Sequence, residues 1–199
     1  MTPTIRATTT TAILACALLF SAGVGAAQSR MPTALVATGT TIRITKSGSY
    51  YLPRNLISHL KNQPVVLVTV SNVTLNLNGC SIIGPGGSGG SVGIDAAGVT
   101  NVTVVNGTIT NIAGPALELG AYGEVSGMRI LGNAGDGADC SSACLVNGNI
   151  VAENGGVGLN FGSDATSGYQ NNVLNGNDAS IVGGTNLGHN VINGVPTTP

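Results

Sequence analysis

Charge is scarce in this chain: Asp, Glu, Lys and Arg make up 8 % of its 199 residues and the net charge is −1. Lys and Arg form no clusters, so no electrostatic footprint for nucleic acid or an anionic membrane surface is expected. Aromatic residues are equally few, 3 %, with no tryptophan. A core must therefore be assembled from Val, Ile, Leu and Ala in closely spaced backbone layers. Low charge together with low hydrophobicity would mean disorder. Here hydrophobic residues reach 42 % and recur in short β-branched runs, so burial offsets ordering entropy. No composition shift divides the chain, which reads as one domain.

Long apolar runs are absent except near the start. Ala12 to Phe20, preceded by Arg6 and followed by Gly25-Ala26-Ala27, has the layout of a secretory signal, residues 1–27, cleaved before Gln28. The run is too short to span a bilayer. The expected destination is the periplasm or the medium, with no integral membrane segment after cleavage. Cysteines are few as well. Beyond the leader stand Cys80, Cys140 and Cys144. Cys140 and Cys144 either close a small disulfide loop or are two packed thiols, and Cys80 reads as a buried small hydrophobe.

What is present is a repeat. Ile94-Asp95-Ala96, Leu117-Glu118-Leu119, Ala138-Asp139-Cys140, Leu159-Asn160-Phe161 and Ile181-Val182-Gly183 recur at steps of 23, 21, 21 and 22 residues. A second ladder, Asn111, Asn133, Asn154 and Asn177, advances by 22, 21 and 23. Asn tolerates turn conformations, and its amide can bond to the coils above and below. Alternation in Val73-Thr-Leu75 and Val102-Thr-Val104 predicts short strands. A period near 22 with strands and turns, and no run long enough for a crossover helix, predicts an all-β parallel β-helix, a solenoid of about six short coils. The expected layout is an N-terminal segment and cap over 28–60, the β-helix over 61–194 and a tail over 195–199. Gly84 to Gly93, rich in Gly and Ser, interrupts the period and reads as a flexible connection.

The entry segment Gly48-Ser-Tyr-Tyr-Leu-Pro-Arg-Asn-Leu56, followed by Val73-Thr-Leu-Asn-Leu-Asn-Gly79 and Val102-Thr-Val-Val-Asn-Gly-Thr-Ile109, resembles exported right-handed parallel β-helix repeat proteins of the pectin-lyase-like fold. The resemblance covers most of the chain after the leader. It implies a single-stranded right-handed β-helix whose first coil is capped, with Tyr50, Tyr51, Leu52 and Leu56 as candidates for the cap. Members of that fold include lyases, hydrolases and epimerases acting on uronate polymers, and others without known activity, so fold alone does not decide function.

One constellation carries possible chemistry. Asp95, Glu118 and Asp139 share an outward position on successive coils, with Asn160 continuing the line. At a strand spacing of about 4.8 Å such carboxylates stack, and a hard cation such as calcium would relieve their repulsion. The plainer alternative is three acids on a solvated face. For elimination chemistry a base and a cationic partner are needed, and Arg129 is the basic residue expected inside the coils. The Gly-His-Gly and Arg-x-Lys patterns of the family's hydrolases are absent, although Glu118 with Asp139, or Asp139 with Asp136, is a formal carboxylate pair. His59 and His189 read as surface or turn residues, Tyr122 and Tyr169 are too far apart for a sugar platform, and Phe161 points inward. The sequons at Asn72, Asn101 and Asn106 read as turn and strand positions. The reading is an exported β-helical structural or surface-interaction protein without evident catalysis. The alternative is calcium-assisted binding of acidic polysaccharide or cell-surface glycan or, further off, lyase or epimerase action on it.

Overall fold

Three or four residues of alternating Val, Ile, Leu and Thr extend the backbone, and then an Asn or Gly turns it. That unit, repeated, builds the whole fold. A computed structural model describes residues 31–36, 39–87 and 89–199, so the expected leader lies outside the described residues. Among the described residues there are strands and turns but no helix. One sheet has seven strands in sequence order: Ile42–Ile44, Val66–Val68, Ile94–Ala96, Leu117–Leu119, Ala138–Cys140, Val157–Asn160 and Ala179–Val182. All of its pairings are parallel, one coil to the next. Spatial order equal to sequence order is the property of a solenoid, here of seven turns, against about six expected. The remaining fourteen strands form the second sheet, which bends around the other sides of the coil.

The bends have a shared cause. Asn72, Asn101, Tyr122 and Ala143 hold positive φ at one corner. Asn106, Gly127, Gly148, Asn171 and His189 do so at a second, and Asn111, Gly132, Glu153 and Gly176 at a third. Val102–Thr110 is thus one continuous strand that turns at Asn106, where φ is 58°. The sequons fall on these corners, as turn residues. Left-handed backbone costs an L-residue about 1–2 kcal/mol, which Asn and Gly largely avoid. Tyr122, Ala143, Glu153 and His189 carry that cost.

A corner turns backbone amides inward, away from their strand partners, and buried Asn side chains meet them. Asn133 donates from both its backbone N–H and Nδ2 to Asn154 Oδ1, at 3.1 and 2.9 Å, and Asn154 donates in the same two ways to Asn177 Oδ1. The Nδ2 atoms also reach the carbonyls of Ile109, Ile130 and Val151. Asn111 is not in this column. It is the corner residue, bonded through Nδ2 to the Gly84 carbonyl, and Ile112 occupies the ladder position, its N–H donating to Asn133 Oδ1. The expected ladder was therefore off by one residue on its first coil. A second ladder, Asn149, Asn172 and Asn190, follows the adjacent corner with the same pattern and begins at the N–H of Met128.

Inside these corners the apolar columns stack at full burial: Ile94, Leu117, Ala138 and Leu159 under one sheet, and Ile82, Ile109, Ile130, Val151 and Leu174 under the other. Phe161 is buried and stacks on Tyr169 with ring centroids 5.9 Å apart. Cys140 and Cys144, both buried, are joined as a disulfide across the Ala143 corner, and Cys80 is free and half-buried.

Two boundaries differ from expectation. Winding begins before residue 61, because Ile42–Ile44 already pairs with Val66–Val68, and Thr33–Ala34 pairs with Tyr50-Tyr51 ahead of it. Leu52 and Leu56 are buried there. Arg129 is accordingly not alone, since Arg43 sits within Ile42–Ile44. At the far end Val195–Thr197 is an antiparallel strand on Asn190–Ile192 instead of a loose tail. The Gly-rich interruption is also pinned at several points: Gly86 N–H donates to the Asn111 carbonyl, and buried Ser91 Oγ accepts from Ala113 N–H.

Asn154→Ala removes the acceptor of two buried donors, each worth about 1–3 kcal/mol when orphaned, so a loss of about 3 kcal/mol is expected in urea unfolding. Ala143→Gly relieves the left-handed corner and is expected to raise stability by about 0.5–1 kcal/mol in the same assay, the disulfide being kept.

Candidate functional site

Strand alternation sends every second side chain of the seven-stranded sheet into solvent, and parallel pairing lines these up across the coils. The resulting row reads Arg43, Leu67, Asp95, Glu118, Asp139, Asn160, Val182. Asp95, Glu118 and Asp139 are thus directly adjacent, half-exposed, on consecutive coils. Other outward rows differ. Ser49, Thr74, Thr103, Glu124 and Leu145 contain one charge, as do Ser81, Thr108, Arg129, Ile150 and Val173.

Crowding shows in the protonation equilibria. Partial burial, then the neighbouring charges of Asp95, Asp139 and Asp136, push the Glu118 carboxyl above its ordinary value. Partial burial and Asp136 raise Asp139, against the opposing N–H of Cys140. Asp136 has both oxygens engaged, Oδ1 accepting from Val157 N–H and Oδ2 from Asn160 Nδ2, each at 2.8 Å. It fixes the orientation of Asn160 and so belongs to the row's support. Asp95 Oδ1 accepts from Ala97 N–H at 3.2 Å, and Asn160 Oδ1 from Gly162 N–H at 3.0 Å.

At its C-terminal side the row opens into a shallow cleft of about 610 Å³ lined by Asp139, Ser141, Asn160, Phe161, Ser163 and Asp164, among others. Asp164 closes a tight turn, accepting from Thr166 N–H, Thr166 Oγ1 and Ser167 N–H. Hydrogen bonds from Ser167 and Thr166 hold its carboxyl well below the usual range. Asp164 was missed in the sequence, where the pattern Asp-Ala-Thr-Ser was the available signal for such a capped turn.

The architecture places the chain: seven parallel turns, in-register outward rows and Asn-filled corners. Residues 39–194 match the family described as the right-handed β-helix region. The chain belongs to that family. No curated protein and no solved structure matches it. Within this β-helix, Arg129 lies on Glu124–Leu131 in the other sheet, paired with Thr108 and Ile150, and is not brought to the acids. His59 lines a small hollow beside Leu56 and Ile57, and His189 is a corner residue. Tyr122 is exposed while Tyr169 packs on Phe161. Among the described residues no group of three or more His, Cys, Asp or Glu side chains converges closely enough to hold a metal ion. The row is chemically a line of hydrogen-bond acceptors, flanked by Asn160, in which Glu118 and Asp139 hold protons more tightly than ordinary carboxylates.

Because Glu118 and Asp139 have raised folded-state pKa values, the folded state binds more protons than the unfolded chain in the window just above the ordinary carboxylate range. Their contribution to stability is therefore greatest below that range and is lost as pH rises through the raised values. Melting temperature is expected to rise as pH falls from 7 into that window. Glu118→Gln should raise the melting temperature at pH 7 and flatten the pH dependence.

Proposed function

We propose that this β-helix is an exported, non-catalytic surface-interaction protein, delivered to the periplasm or the medium, whose seven-stranded face is the surface it offers. The observation that carries the reading is the concentration of Asp95, Glu118, Asp139 and Asn160 in one outward row that runs into the cleft at Asp164. An extended glycan is a fitting partner, because carboxylate and amide oxygens repeated at about 4.8 Å can accept hydrogen bonds from a line of hydroxyl groups. The placement of Arg129 on the other sheet favours binding over β-elimination, which needs a cation beside the developing enolate.

A second reading is calcium-assisted binding of an acidic polysaccharide. The direct adjacency of Asp95, Glu118 and Asp139 supports it, since their mutual repulsion, which adds to partial burial in raising Glu118, would be relieved by a cation shared between the row and the polymer's own carboxylates. In this reading the polymer completes the coordination, and the row need not form a closed cage by itself.

Retention on immobilised pectate, alginate and neutral glycans, with and without calcium, separates the two readings, with unsaturated uronate absorbance recorded in parallel. Retention without new absorbance, lost in the combined Asp95→Asn, Glu118→Gln and Asp139→Asn variant, is the expected result. A calcium-dependent rise in melting temperature absent from that variant selects the second reading. Polymer cleavage abolished by Asp139→Asn would sink the non-catalytic reading.

A further inference from the structure

The two sheets end differently. In the fourteen-stranded sheet Thr33–Ala34 lies over the first coil and Val195–Thr197 folds back over the last. In the seven-stranded sheet the terminal strands Ile42–Ile44 and Ala179–Val182 each pair with one neighbour only among the described residues, which leave one backbone edge open at each end. Natural edge strands are guarded by a lysine, a proline or a bulge, and Ala-Ser-Ile-Val at 179–182 has none of these. Apolar side chains accompany both edges: Val182 and Leu187 at the C-terminal end, Val36 and Ile57 at the N-terminal end, all exposed.

Charge is divided along the same axis. Arg43, Lys46, Arg54 and Lys61 lie on the first coil, and no acid precedes Asp95 anywhere in the chain. After Arg129 every charged residue is acidic: Asp136, Asp139, Glu153, Asp164 and Asp178, with no Asp, Glu, Lys or Arg beyond Asp178. The net charge of −1 therefore conceals a solenoid that is basic at one end and acidic toward the other. Two N-terminal ends brought together would oppose Arg43 and Lys46 to their own copies, and two C-terminal ends would oppose Asp178 to Asp178. Opposite ends alone combine attraction with strand edges running in the same sense.

We infer that copies of this chain associate head to tail, the Ile42–Ile44 edge of one adding in parallel to the Ala179–Val182 edge of the next. The occupant of each open edge is a second copy, and the outward row continues from Val182 into Arg43 of the following copy. Such a contact is heterologous and does not close on itself, so it produces short filaments whose length follows concentration. Exposed charges supply the orientation, so association weakens as salt rises.

Sedimentation velocity and light scattering on the purified protein, over a range of concentrations at low and high salt, test this. The expected result is a mass that grows past the dimer with concentration and falls with salt. Val182→Lys guards the C-terminal edge, and Arg43→Glu with Lys46→Glu reverses the N-terminal end. Each variant, checked for native melting and β-sheet circular dichroism, is expected to be monomeric alone. Mixed, the two should give a one-to-one dimer, because one keeps a free head and the other a free tail. A wild-type protein that stays monomeric at all concentrations, association indifferent to salt, or a dimer that survives the Arg43/Lys46 reversal but not Val182→Lys would each overturn the proposal, the last in favour of a tail-to-tail pair.

Discussion

Every coil of this β-helix depends on the next for its hydrogen bonds. A parallel strand satisfies its backbone only through neighbours about 4.8 Å away, so the path of one coil must be copied by the following one, corners included. Strands copy easily. Corners do not, because a left-handed residue swings the next N–H toward the interior, where water is absent. Buried Asn133 and Asn154 with half-buried Asn177 on one edge, and buried Asn149, Asn172 and Asn190 on another, supply an acceptor one coil on and pass their own amides down the line. Ser167 does the same with a hydroxyl for Cys144, and Ser91, one coil back, accepts from Ala113 N–H. Among the described residues a single buried side-chain polar atom, Thr197 Oγ1, is left without a partner. In an interior where an orphaned donor costs about 1–3 kcal/mol, this accounting sets which residues may occupy the positions after each corner.

The period and the strand class were legible because both follow from side-chain alternation, which the outward position of Asp95, Glu118 and Asp139 exposes directly. The first asparagine ladder was legible to within one residue. Asn111 has the right spacing but the wrong job, since an asparagine serves equally at a positive-φ corner and at the inward position after it. The pairs Gly132-Asn133, Glu153-Asn154 and Gly176-Asn177 show the rule. The same rule in Gly148-Asn149, Asn171-Asn172 and His189-Asn190 reveals the second ladder. The start of winding was harder to read. Capping residues and first-coil residues are both apolar, and Leu52 and Leu56 are buried on either account. The support that Asp136 gives Asn160 crosses between coils and depends on backbone that no spacing rule locates.

Charge counted over the whole chain hid the most uneven feature of the molecule. A sum near zero is compatible with neutrality everywhere or with two opposed ends, and only the positions of Lys61 and Asp95 distinguish them. In a globule such segregation would be folded back on itself. In a solenoid, sequence order is spatial order, so a division along the chain becomes a division along an axis and generates a field with direction.

The acidic row then has to be weighed against its cost. Like charges directly opposite one another in a sheet destabilise it, by several tenths of a kcal/mol per pair at a surface. The outward rows of the other sheet avoid that cost with Ser, Thr and a single charge, and the strands of the acidic row would accept Thr at the Glu118 position without disturbing any inward column. The cost also falls on the sheet whose two edges the described residues leave uncovered. Removing the acids would stabilise the fold and at the same time strip the row of every charge but Arg43, bringing the sheet closer to the uncharged edges most prone to indiscriminate pairing. The row therefore opposes stability while favouring specificity. It keeps the face charged and polar, and its negative charge, set against Arg43 at the other end, leaves one mutual orientation of two copies in which edge and charge agree.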